Sequence, residues 1–218
     1  MTIFQNLKRK LSRDERGMAV TEFGIILVPF SILLMGAFDL GYQNYLRSVL
    51  QGTLTEAARQ ASTENPIFSG TGATLQDRIQ DSIEKRVQDL YPDVDFEGDP
   101  NNPDDDAVKI RNYYEFSGVG KPEKLTYDAN GNGEFDFDDG DCWQDLNDNG
   151  SFDQDAGRDG LGGSSDIIFY EISVSIPRIF PMAALIGASE NYTVTANTAV
   201  RTQPFETQQA PQNVCAEP

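Results

Sequence analysis

Sixteen uncharged residues, FGIILVPFSILLMGAF from Phe23 to Phe38, constrain this chain more than any other feature. Extended back to Met18, the run carries one acid, Glu22. It then reaches the about 20 mostly apolar residues that a bilayer crossing needs. Lys8, Arg9, Lys10, Arg13 and Arg16 precede it, and acids follow from Asp39 onward. Basic residues are retained on the cytoplasmic side, so this asymmetry assigns residues 1–17 to a cytoplasmic leader and places everything past Phe38 outside. A secretory signal peptide is the alternative, but its apolar core runs about 7–15 residues and ends at a cleavage site of small residues. No such site follows directly here. Apolar residues instead recur at helical spacing: Tyr42, Tyr45, Leu46, Val49, Leu50, Leu54, Ala57, Ala58 and Ala61. One helix is therefore expected over residues 18–62, with a stripe that must pack on its own head or on neighbouring subunits.

Two residues inside this helix need reasons. Pro29 removes a backbone donor, which membrane helices tolerate better than soluble ones, and a kink is expected there. Glu22 is costly in lipid. By position alone it fits either an acid with a buried partner or a solvated acid at the interface.

The spacing Gly17-Met18-Ala19-Val20-Thr21-Glu22, set between a basic leader and an apolar helix, resembles the prepilin-peptidase site of type IV pilins and pseudopilins. Glycine leaves a protease unobstructed, and cleavage after Gly17 frees an amine on Met18. The resemblance implies that Glu22 pairs with the N-terminal amine of a neighbouring subunit, so that both buried charges are compensated. The stretch from Gly17 to Ser62 further resembles the TadE-like branch of the tight-adherence pilus system. That pattern falls on Glu22 and Phe23, on Pro29, on Gly36 followed by Asp39, and on Ala57, Ala58 and Ala61. Near the end, YTVTANTAVRTQPF resembles the family's closing strand, with Arg201, Pro204 and Phe205 as its finish.

Residues 63–218 read as an extracytoplasmic α+β head. Thr74 with Asp77 offers a capped helix start, and Leu75, Ile79, Ile83, Val87 and Leu90 form one stripe behind it. Alternation then marks strands: Val108, Ile110, Tyr114 and Phe116 on one face; Ile168, Tyr170, Ile172, Val174 and Ile176 on another; and Tyr192, Val194, Ala196 and Val200 on a third. A helix on a small antiparallel sheet is the expected architecture. Met182 to Ile186 fits either a short helix or a loop. Asn101–Asp106 reads as a solvated turn and Gln203–Pro218 as a loose tail, which a bond through Cys215 would pin.

The acidic insert, residues 126–163, carries the sharpest local chemistry. Two parallel units stand in it, Asp128-x-Asn130-x-Asn132-Gly133-Glu134-Phe135-Asp136 and Asp145-x-Asn147-x-Asn149-Gly150-Ser151-Phe152-Asp153. Alternating oxygen side chains, a glycine turn and an apolar residue match the start of an EF-hand-type calcium loop. Calcium takes about six to eight oxygens, and the glycine allows the chain to bend round it. The closing position holds Asp139 in the first unit and Ala156 in the second, with Asp155 or Asp159 available to complete the second. A flexible, solvated acidic loop is the competing reading. Calcium, in a structural role, is the cofactor expected.

Composition narrows the rest. The net charge of −18 repels phosphate, so nucleic acid is not an expected partner. There is no histidine, which removes Ser-His-Asp and Cys-His arrangements, and no acid pair stands out for hydrolysis. No enzyme is expected. Cys142 and Cys215, both beyond the apolar run, suit one disulfide in an oxidising compartment, worth about 4 kcal/mol on the chain-entropy model. Two unpaired thiols are the alternative.

The expected protein is a minor pilin or pseudopilin of the inner membrane, single-pass, with its head in the periplasm or on an assembled pilus. Its expected partners are other pilin-like subunits, the assembly machinery and a prepilin peptidase. The alternative is an unprocessed, signal-anchored, calcium-dependent adhesin; a membrane-tethered carboxylate hydrolase is a third reading.

Overall fold

The computed structural model describes residues 17–63, 74–96, 107–180, 187, 189–203, 208 and 210–216. The basic leader, the 64–73 linker, Asn101–Asp106, Met182–Ile186, Pro204 and Phe205 lie outside these residues. The chain divides into two compact units, Met1–Tyr45 with Arg178–Glu190 and Leu46–Pro177 with Asn191–Pro218.

A single helix, α1, spans Met18–Ala61, 44 residues that continue through Pro29. It is long and apolar enough to cross a membrane. From Met18 to Phe38 no side chain is buried, and Ile25, Ile26, Val28 and Leu33 are among those most open. A stretch this apolar and this uncovered is what lipid accepts and water does not. The first acid after it behaves differently. Asp39 is buried and accepts a hydrogen bond from Arg178 Nη1 at 2.6 Å. Arg178 also donates through Nε to the Ser189 carbonyl and through its backbone N–H to Glu190.

The second unit is built on one antiparallel sheet. Its strands are β1 (Asp95–Phe96), β2 (Val108–Tyr113), β5 (Arg158–Asp159), β6 (Ile167–Pro177) and β7 (Asn191–Arg201), in the order β1-β6-β2-β5 with β7 also on β6. Register aligns Val108, Ile172 and Ala196 across three strands, and Val174 with Val194, so the alternating apolar residues merge into one buried face. Helix α2 (Leu75–Leu90) adds Ile79, Ile83 and Val87 to the core, and Gln80 donates to the Val108 carbonyl at 2.8 Å. Thr74 and Asp77 form the expected capping box. The distal turns of α1 add Leu46, Leu50, Leu54, Ala57, Ala58 and Ala61. Burying each such leucine contributes about 1.5–3 kcal/mol, which is why this end of α1 belongs to the head.

Three sequence expectations are corrected. β2 ends at Tyr113, and Phe116 opens an exposed one-turn 3-10 helix instead of extending the strand's face. There is a second sheet, three strands in the order β3-β4-β8, made of β3 (Lys124–Tyr127), β4 (Cys142–Asp145) and β8 (Gln212–Cys215). Within the tail, Gln212–Cys215 is therefore not loose. The Cys142–Cys215 disulfide joins directly opposed residues of β4 and β8, and the Ala216 N–H donates to the Asp141 carbonyl. A four-residue strand with a mostly exposed pattern gives no periodic signal, so the cysteine pair was visible in the sequence and the strand was not.

Candidate functional site

Two regions carry the candidate sites. The first is the start of α1. Gly17 opens the helix and is exposed, with space round it for an added Cβ. Met18, Glu22, Phe23 and Pro29 all lie on exposed parts of the same helix. Thr21 Oγ1 donates to the Met18 carbonyl at 2.8 Å, and Glu22 has no hydrogen-bond or ion-pair partner among the described residues.

The second region is the insert, where the two sequence units fold as near copies. In the first loop Asp128 accepts from the backbone N–H of Gly131 and Gly133; in the second Asp145 accepts from Asn149 and Gly150. Asn130 accepts from the Asn132 N–H and Asn147 from Asn149; Asn132 accepts from Glu134 and Asn149 from Ser151. The backbone repeats as well. Gly133 and Gly150 take positive φ of 81° and 76°, and two residues earlier Gly131 and Asp148 take 73° and 60°. Asp148 is one of two described non-glycine residues in that left-handed region, a conformation its short polar side chain tolerates.

In both loops the side chains of the third, fifth and ninth positions converge. Asn130 and Asn132 donate through Nδ2 to Asp136 Oδ2 at 2.9 and 2.7 Å. Asn147 and Asn149 donate to Asp153 Oδ2, each at 2.6 Å. Asn130 also reaches Asp139. Glu134 and Ser151 contribute backbone N–H groups here. Asp155 is not brought in: its carboxylate pairs with Arg111 of β2 and accepts from the Gly157 N–H. Asp159 is exposed and also faces Arg111. The converging groups are carboxylates and carboxamides, residue types whose oxygens suit hard cations; here the carboxamides turn Nδ2 to the carboxylate and Oδ1 to backbone N–H groups. Among the described residues, no group of three or more His, Cys, Asp or Glu stands close enough to hold a metal, so carboxamides are needed to complete either loop.

Two carboxylates that the repeat pattern does not contain hold the loops in shape. Asp141, fully buried, accepts from the N–H of Ala129 at 2.8 Å and of Asp136 at 2.9 Å. Glu123, 3% exposed, accepts from Leu146 at 2.7 Å and Asp153 at 3.1 Å. Each thus bridges the second and ninth positions of one loop. Burial pushes the Glu123 carboxyl up, the Leu146 and Asp153 N–H groups pull it back, and the charges of Asp145 and Asp153 add to the rise. The Gly133 N–H above all holds the half-buried Asp128 carboxyl below its ordinary range. Sequence reasoning missed Glu123 and Asp141, although an acid a few residues ahead of each repeat was there to be seen. Phe135 and Phe152, at the same position in each loop, stack 4.3 Å apart, and both meet Trp143 edge-on.

Residues 17–59 match the family model described as TadE-like protein. The match covers Gly17, Glu22, Phe23, Pro29 and nearly all of α1, and none of the insert. No curated protein and no solved structure matches the chain.

Proposed function

We propose, from the match of its N-terminal helix to TadE-like proteins, that this chain is a minor pilin or pseudopilin of a tight-adherence pilus system. One observation carries the reading. The matched stretch coincides with a helix whose first half exposes a continuous apolar surface, and Glu22, the single acid of residues 18–38, lacks a partner among the described residues. In an assembly, lipid or neighbouring helices cover that surface, and the new amine of an adjacent Met18 neutralises Glu22. Gly17 is the cleavage site for a prepilin peptidase. The leader lies in the cytoplasm, the anchor in the inner membrane and the head outside, where Cys142 and Cys215 meet an oxidising compartment.

The head is stabilised by calcium in its two loops. The side chains of Asp128, Asn130, Asn132, Asp136 and Asp139 hold one ion, and those of Asp145, Asn147, Asn149 and Asp153 the other, with backbone carbonyls at Glu134 and Ser151 completing each. The converging third, fifth and ninth side chains support this reading. An ion between them offsets the carboxylate charge that carboxamide N–H groups otherwise meet alone.

The test is the N-terminal sequence and intact mass of the protein from native membranes, with and without its prepilin peptidase. A peptidase-dependent N-terminus at Met18 is expected. An intact N-terminus in both strains overturns the pilin reading and favours a signal-anchored, calcium-dependent surface module.

A further inference from the structure

The two loops are related by more than repetition. β3 leads into the first loop and β4 into the second, and these strands pair antiparallel, Leu125 opposite Trp143 and Lys124 opposite Gln144. Antiparallel pairing sets the start of one strand beside the end of the other. Glu123, at the start of β3, therefore reaches the second loop, where it binds Leu146 and Asp153. Asp141, at the start of β4, reaches the first, where it binds Ala129 and Asp136. Each loop is braced by the carboxylate on the lead-in strand of its twin.

We infer that the two loops bind their cations as one coupled unit, with Glu123 and Asp141 as the positioning residues that carry the coupling. This rests on the calcium reading above. An ion in the first loop fixes Asp136, whose N–H holds Asp141. Asp141 in turn holds the start of β4, and β4 ends on Asp145, the first ligand of the second loop. An ion in the second loop fixes Asp153, hence Glu123, hence β3 and the approach to Asp128. The Phe135–Phe152 stack closes the same circuit on the apolar side. Two independently braced loops would share neither contact. Filling one loop thus lowers the ordering cost of the other, which is positive coupling in the thermodynamic sense.

The experiment uses the full chain in detergent or nanodiscs and titrates calcium itself, by calorimetry and by the emission of Trp143, the chain's single tryptophan. Two ions are expected in one steep transition. Asn130→Ala removes a first-loop side chain and leaves the Asp128 turn bonds in place. It should weaken the second loop's ion about 10-fold, within the usual range of coupling between sites. Glu123→Gln and Asp141→Asn should each weaken both ions. Two ions that bind independently, with Asn130→Ala leaving the second loop unchanged or each brace variant affecting only the loop it touches, would overturn the coupling while calcium binding stands. A single bound ion would also overturn it. No heat and no change in Trp143 emission in the unaltered protein would instead remove the calcium reading, and the coupling with it.

Discussion

The anchor, residues 18–38, and the acidic insert, residues 126–163, are ordered by opposite means. The anchor has no buried side chain, and every backbone hydrogen bond it needs is internal to the helix, so its conformation is local and its exposed surface asks for an apolar solvent. The insert has short strands, and its loops are held by side-chain oxygens on backbone N–H groups and by two buried carboxylates. It concentrates charge that asks for a counter-ion. On the function proposed above, lipid or neighbouring helices complete the one region and a cation completes the other, each by its own chemistry.

Breaking the anchor's side of this contrast should have the largest effect. Glu22→Ala is expected to leave membrane insertion intact, since it makes the segment more apolar, and to abolish or severely reduce piliation. Fractionation together with pilus counts by electron microscopy checks both halves; wild-type piliation would remove Glu22 from assembly. The insert's side is expected to respond next. Calcium at about 100 times its dissociation constant should stabilise the head by about 2.7 kcal/mol for each ion bound only by the folded state. The measurement is thermal melting of the full chain with calcium and with EGTA, and a midpoint indifferent to both would count against structural calcium. The smallest effect belongs to an element that needs neither lipid nor ion. Thr74→Ala removes the capping box of α2 and should cost about 1 kcal/mol in urea denaturation, whether calcium is present or not.

Much of this was legible in the residues because it is local. The 3.6-residue stripe through Leu46, Leu50 and Leu54 and the cap at Thr74 express themselves within a turn or two of helix. The period-two runs of β6 and β7 mark their own buried faces. The two loop repeats were readable for the same reason, since a side chain capping the N–H two to five residues on is a short-range bond.

What depended on distant residues was not legible. Nothing in the tail's composition announces that Gln212–Cys215 pairs with β4, because its energy comes from a ladder and a disulfide joining residues separated by 73 positions. Asp155 looked like a loop ligand until Arg111, 44 residues earlier, claimed it. Glu123 and Asp141 are ordinary acids until antiparallel pairing of β3 with β4 sets each beside the other strand's loop. The sequence by itself determined the helices, the long strands and the repeated loop pattern, because those follow from the order of neighbouring side chains. Only the tertiary structure decided which carboxylates brace the loops, which is spent on an arginine and where the chain end is sewn in, because those depend on which strands meet.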